Sequence, residues 1–231
     1  MKAVQPVAPL TPSPAGLSKR RSRNRKCSKS NMSFKYYDLL SNLTVGIVAF
    51  FAIWKFLFPD LDISEWVIIP AGYLVGYFLN AISSLIELFL FCTICGKPSD
   101  RLLTPVPGKK WTGIKKVRFY FAVQTVEALK KDTGDAEATT DKMFGYAMRM
   151  ANSNKDCRVP DFNGHYALSR VILTTVIFTV VIVEIKFACV WYTWPISIAI
   201  LLLAWNRFRE RGYYYAREVL SEYLKNRKGN K

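Results

Sequence analysis

Six small or polar residues recur every three or four positions in an apolar stretch between Trp66 and Cys95, so they share one face of the predicted helix. We call them the polar stripe: Gly72, Gly76, Asn80, Ser83, Ser84 and Glu87. An acid among apolar residues needs a partner away from lipid, so Glu87 with Asn80 and Ser84 could line a pore or a proton path. The alternative is that Glu87 lies at the inner interface, paired with a nearby base, and sets helix register.

The stripe begins with Gly72-x-x-x-Gly76, a spacing that lets another helix approach closely. Four short helices bury little surface by themselves. We therefore expect a homo-oligomer built partly on this face of the second span, with the stripe serving pore lining or helix packing.

A second candidate is Arg158 with His165, the only histidine of the chain. The spacing of an arginine, six residues and a histidine resembles the motif of the HEPN ribonuclease family. The resemblance implies a metal-free RNA cut, made by a dimer, in which this pair polarises the scissile phosphate and moves protons. The proline and glycine between them are expected to interrupt the helix. The alternative is that Asp161 or Asn163 caps the third span's helix and the histidine is an interfacial polar residue.

The residue types give little support for a metal site, a cofactor site or another catalytic site. The five cysteines are scattered and odd in number, which favours reduced thiols. Cys92-x-x-Cys95 offers two ligands where a zinc site needs four. Phosphate-binding loops, nucleophile elbows and metal-ligand clusters are absent from the sequence, so we expect no metal, no cofactor and no enzymatic activity beyond the ribonuclease alternative.

The apolar tracts predict an all-α integral membrane protein with four transmembrane helices arranged as two hairpins. The first hairpin covers residues 33–96 and the second residues 167–206. We expect the second hairpin's outer turn at residues 184–186, whose charged ends are solvated, and Pro195 as a kink inside the fourth helix. Residues 1–32, rich in Pro, Ser, Lys and Arg, are expected to form a disordered basic tail.

Charge predicts the orientation of these spans. The chain has 231 residues and is 51% hydrophobic, yet it carries 33 Lys and Arg against 17 Asp and Glu. Nine of the bases precede Asp38, fourteen lie in residues 97–170 and eight follow Asn206, whereas the predicted outer turns hold almost none. The positive-inside rule places both termini and the central loop in the cytoplasm.

The central loop and the tail are predicted to be helical. Residues 97–166 form a cytoplasmic insert with helices over residues 115–131 and 136–151 and no strand of useful length. Residues 207–231 continue the fourth span as a basic amphipathic helix that packs on the insert while its arginines contact headgroups. These arginines are Arg207, Arg209, Arg211 and Arg217. The alternative for this helix is a basic and aromatic platform for RNA or single-stranded DNA.

The plan of two spans, a helical insert, two further spans and a basic tail resembles small membrane proteins of prokaryotic antiviral defence. The outline is closest to the accessory proteins encoded beside type VI-B CRISPR effectors. The resemblance rests on Tyr37-Asp38-Leu-Leu, on residues 72–87, on Gly164-His-Tyr-Ala-Leu-Ser-Arg170 and on residues 207–215.

The resemblance implies an oligomeric inner-membrane effector or accessory protein that permeabilises the membrane or modulates immunity. Its expected partners are copies of itself, anionic lipid headgroups and an RNA-guided effector or nucleic acid. The alternatives are a membrane-anchored ribonuclease and a housekeeping ion channel or small transporter.

Overall fold

The computed structural model describes residues 42–56, 58, 60, 64–91, 96–153, 157–187 and 190–229. Within them the chain is mostly helical, with one hairpin of two antiparallel strands. The helices are α1 Asn42–Phe56, α2 Glu65–Leu90, α3 Pro98–Leu103, α4 Ala122–Thr133, α5 Thr140–Asn152, α6 Val159–Lys186 and α7 Thr193–Gly229, and the strands are β1 Thr112–Ile114 and β2 Val117–Phe119. The predicted disordered tail and the Cys92-x-x-Cys95 pair lie outside the described residues.

Two helices, α2 and α6, are long and apolar enough to cross a membrane, and few of their residues are buried within the chain. Large apolar side chains are exposed along α2, α6 and the first half of α7, among them Leu85, Ile185 and Leu203. The helix α1 is apolar but shorter, and the apolar part of α7 ends where the bases begin at Arg207. Soluble monomers rarely expose so much apolar surface, so these faces suit contact with lipid.

Three glycines bring α1 and α2 into very close contact. A Cβ on Gly46 of α1 would overlap the carbonyl oxygen of Gly72, and a Cβ on Gly76 would overlap the carbonyl oxygen of Asn42. Glycine at these positions therefore permits a helix approach that any side chain would block. The partner of the Gly72-x-x-x-Gly76 face is α1 of the same chain, so an oligomer interface on this face would have to displace α1.

The turn between α6 and α7 lies later than the sequence predicts. Glu184 is not a solvated helix end, because it accepts a hydrogen bond from Ser197 Oγ of α7 at 2.5 Å. The helix continues to Lys186, whose Nζ donates to the carbonyl oxygen of Phe56 at 2.8 Å and so satisfies the last turn of α1. Pro195 lies in the first turn of α7 and therefore does not form the predicted kink inside the helix. Proline is tolerated in a first turn because the N–H groups there have no partner within the helix.

The second half of α7 is the central helix of a compact substructure with α3, the hairpin, α4 and α5. We call residues 97–152 together with residues 207–229 the helical unit. Its core contains Leu102, Leu103, Val117, Phe119, Leu129, Met143, Ala147, Tyr213, Val219, Leu220 and Tyr223. Because α7 is unbroken from Thr193 to Gly229, it connects the apolar helices rigidly to this core.

The hairpin corrects two predictions, that the fold is all-α and that residues 115–131 form one helix. The strands pair with Thr112 opposite Phe119, and both of these side chains are buried. α4 begins only at Ala122, and α5 also begins later than predicted. Strands of three residues alternate too briefly to be recognised in a sequence, and their packing on the core of the helical unit stabilises them.

Candidate functional site

The polar stripe of α2 ends in a cluster of charged and polar side chains shared with α6. One carboxylate oxygen of Glu87 accepts a hydrogen bond from Tyr166 Oη at 2.5 Å, and the other lies 2.6 Å from Nη1 of Arg170. Nη2 of Arg170 lies 3.4 Å from Asn80 Oδ1. The side chains of Glu87 and Arg170 are 22% and 21% exposed, so water screens their attraction only in part. We call these four residues the junction cluster.

Helix periodicity positions the members of the junction cluster. Asn80 and Glu87 lie two turns apart on α2, and Tyr166 and Arg170 lie one turn apart on α6, so each pair shares a helix face. Between the first two, Ser83 Oγ donates to the carbonyl oxygen of Asn80 at 2.6 Å, which satisfies a buried hydroxyl within the helix. The polar stripe therefore faces α6 at this level.

Aromatic stacking connects the junction cluster to the helical unit. The ring of Tyr166 is stacked 5.5 Å from the ring of Phe208 and 5.8 Å from the ring of Tyr215, both on α7. Tyr215 Oη donates to Met148 Sδ of α5 at 3.1 Å. Burial raises the pKa of Tyr215, and the negative charge of Glu87 adds to the effect, so the phenol stays protonated. Four helices, α2, α6, α7 and α5, thus meet through one chain of contacts.

A cavity of about 370 Å³ opens beside the junction cluster, where α2 ends and the helical unit begins. The ion pair between Lys97 and Asp141, 2.8 Å apart, lies on its wall. Its lining combines polar and apolar groups, among them Ser84, Glu87, Leu88, Phe91 and Phe144. A molecule bound there would contact both the apolar helices and the helical unit.

The pairing of Glu87 decides what its carboxylate can do. Both of its oxygens have a hydrogen-bond donor, so it is a neutralised partner in a helix contact and not a free acid on an open path. A water or proton path along the polar stripe requires α2 and α6 to separate at Arg170.

The segment from Arg158 to His165 is helical after its first residue. Arg158 immediately precedes α6, which begins at Val159 and passes through the intervening proline and glycine, so the predicted interruption is wrong. Proline is tolerated in a first helical turn. Asp161 and Asn163 lie inside the helix, so neither is its cap as the alternative reading expected.

The four arginines predicted to contact headgroups all lie on α7. They are Arg207, Arg209, Arg211 and Arg217. Arg207 is exposed and lies 3.7 Å from Glu210, whereas the other three are half-buried. The guanidinium of Arg217 lies 5.1 Å from the ring centre of Tyr214, and Nε of Arg209 is buried without a hydrogen-bond partner. Arg207 is therefore the arginine of this set that is most available to an external anion.

Sequence reasoning missed Tyr166 and Arg170 as functional residues. The available signal was a lone base at the start of the third predicted span, on the same side as the lone acid Glu87 at the end of the second. Nothing local distinguishes Arg170 from the other bases of the central loop, so its role depends on how the helices pack.

Comparison with protein-family models, curated proteins and solved structures finds no match for this chain. Within the residues that the structure describes, no group of three or more His, Cys, Asp or Glu side chains could hold a metal ion. The functional argument therefore rests on the junction cluster, the exposed apolar faces and the distribution of charge.

Proposed function

We propose that α1, α2, α6 and the apolar half of α7 are embedded in the cytoplasmic membrane, with both termini and the helical unit in the cytoplasm. The exposed apolar faces of these helices support this arrangement. Trp66, Trp191 and Trp194 lie exposed at the ends opposite the helical unit, where interfacial tryptophans are enriched. The concentration of bases at the other end satisfies the positive-inside rule.

Two native cysteines test this orientation when each is kept alone in an otherwise cysteine-free chain. In the sequence Cys189 follows α6, whereas Cys157 precedes it by two residues. In intact cells a membrane-impermeant maleimide should label Cys189 and should label Cys157 only after permeabilisation. Labelling of Cys157 in intact cells would overturn the topology.

We further propose that the protein is an effector or accessory protein without enzymatic turnover that permeabilises this membrane as an assembly of several copies. The observation that carries this proposal is the junction cluster, because Glu87 of α2 and the ring of Tyr166 link the apolar helices to the helical unit. A partner bound to the helical unit would act on α2 through these contacts. Within one chain α1 and α6 cover the polar stripe, so a water path has to form between copies or by separation of α2 from α6. The resemblance to CRISPR-associated accessory proteins supports a role in antiviral defence.

Liposome flux of potassium ions tests the permeabilising activity. The purified chain should release the ion, and Glu87→Gln should alter conductance or ion selectivity without changing the mass of the detergent-solubilised assembly, because it removes charge and keeps shape. Gly164→Ala is the matched control, since a Cβ at Gly164 meets nothing within 4 Å, and its flux should equal that of the unmodified chain.

The same preparation separates the alternatives. The ribonuclease would replace the permeabilising function if two results came together. The unmodified chain would release no potassium from liposomes, and Arg158→Ala or His165→Ala would abolish both RNA cleavage and the biological effect. Ion flux that needs no trigger and is compatible with normal growth would indicate a housekeeping channel or transporter.

A further inference from the structure

The helical unit carries a basic segment that neither the junction cluster nor the arginines of α7 explain. No acid occurs between Arg101 and Val126. Five exposed bases lie in and beside the hairpin: Lys109, Lys110, Lys115, Lys116 and Arg118. The turn between β1 and β2 presents two of them, Lys115 and Lys116, side by side.

The hairpin turn lies close to the point where α7 leaves its apolar part. Nζ of Lys116 lies 3.6 Å from Oε2 of Glu210, and Nη1 of Arg207 lies 3.7 Å from the same oxygen. At a rise of about 1.5 Å per residue, Glu210 is roughly 8 Å along the axis from Trp205, an aromatic residue suited to the interface. That separation is about one Debye length at physiological salt. Salt therefore only partly screens the attraction between the bases of the turn and an anionic surface at the level of Trp205.

We propose that this basic hairpin docks on the anionic lipid headgroups of the inner leaflet. The inference rests on the proposed membrane embedding, which puts the hairpin turn beside that surface. Of the five bases, Lys116 is the one that pairs with Glu210, and one acid cannot neutralise five bases, so the segment keeps excess positive charge. Each base near an anionic surface strengthens the contact about fivefold.

Two exposed aromatic side chains, Tyr120 and Phe121, follow β2, and the guanidinium of Arg118 lies 5.2 Å from the ring centre of Trp111. Aromatic rings beside bases suit the headgroup region of a membrane, and base stacking on the same rings is the alternative that the experiment below separates.

Lysine acylation read by mass spectrometry tests this docking in the full-length chain. The protein is inserted into nanodiscs of phosphatidylcholine alone or of phosphatidylcholine mixed with phosphatidylglycerol. In the anionic discs Lys115 and Lys116 should react about fivefold more slowly, and high salt should abolish the difference. Lys130 and Lys131 are internal controls, because they adjoin Asp132, which pairs with Arg227 roughly 25 Å further along α7 than Glu210.

Two matched double variants test whether the protection depends on the charges of the hairpin turn. Lys115→Gln with Lys116→Gln should weaken the lipid-dependent protection of Lys109, whereas Lys130→Gln with Lys131→Gln should leave it unchanged.

Three outcomes would overturn the inference, and they are distinguishable. Equal slowing at the hairpin and at the control lysines would show only a general effect of surface charge. Protection by single-stranded RNA in neutral discs, without protection by anionic lipid, would make the segment a nucleic-acid surface. Failure of the chain to insert into discs would refute the membrane embedding itself.

Discussion

Breaking the ion pair between Glu87 and Arg170 is the perturbation that most directly probes the junction cluster. Arg170→Gln leaves the carboxylate of Glu87 with Tyr166 as its one remaining donor, in a site that is only about one-fifth exposed. Glu87→Gln removes the negative charge that neutralises the guanidinium of Arg170, which then has neutral amide oxygens, that of Asn80 among them, in place of a carboxylate. Hydrogen bonds between charged groups contribute about 1.5–3 kcal/mol, and removal of one partner also leaves the other poorly solvated.

A double-mutant cycle measures the coupling energy between Glu87 and Arg170. The double variant, Glu87→Gln with Arg170→Gln, leaves neither charge without its partner. Its loss of stability should therefore be smaller than the summed losses of the two single variants by about 2 kcal/mol. Each single variant should lower the thermal midpoint in detergent by about 4–8 °C, on the scale of about 2–4 °C per kcal/mol for a chain of this size.

The ion pair between Lys142 and Asp135 is the matched control for this cycle. Its atoms lie 2.7 Å apart, nearly the distance in the junction cluster, but both side chains are well exposed and water screens their attraction. Lys142→Gln and Asp135→Asn should therefore have additive effects on the thermal midpoint. The reasoning is refuted if the Glu87–Arg170 cycle is equally additive, because the pair would then contribute nothing to joining α2 and α6.

Three further predictions concern packing and ionisation. Gly46→Ala should destabilise the chain by about 1–3 kcal/mol in thermal unfolding because its Cβ overlaps α2, whereas Gly145→Ala meets open space and should be neutral or stabilising; equal effects would contradict the close approach. Phe208→Ala should cost about 3–5 kcal/mol in the same assay because this ring is fully buried, and a loss below about 1 kcal/mol would refute its role. Burial, aided by the hydrogen bond to Asp132, raises the pKa of Tyr223, so stability should be complete below about pH 10 and decline as the pH rises toward the folded-state pKa. Tyr223→Phe should remove the loss of stability at alkaline pH that comes from ionisation of this phenol, as measured by chemical denaturation. An unchanged loss of stability at alkaline pH would contradict this role of Tyr223.

The amino-acid sequence determined those features that depend on neighbours along the chain. The apolar runs indicate α2 and α6, and the recurrence of small and polar residues every three or four positions correctly groups Gly72, Asn80 and Glu87 on one helix face. The continuation of the last apolar helix into a basic amphipathic tail is also visible, because the apolar spacing in residues 207–224 has the helical period. The charge asymmetry is likewise a property of composition alone.

Only the tertiary structure decided which surfaces meet. A polar helix face can be satisfied by water, by a second copy or by another helix of the same chain, and the local pattern is identical in each case. Arg170 lies 83 residues from Glu87 along the chain, so its choice as partner depends on how α6 packs against α2. The hairpin depends on packing in the same way, because three-residue strands have too little periodicity to specify themselves and are stable only against the buried core that α7 completes.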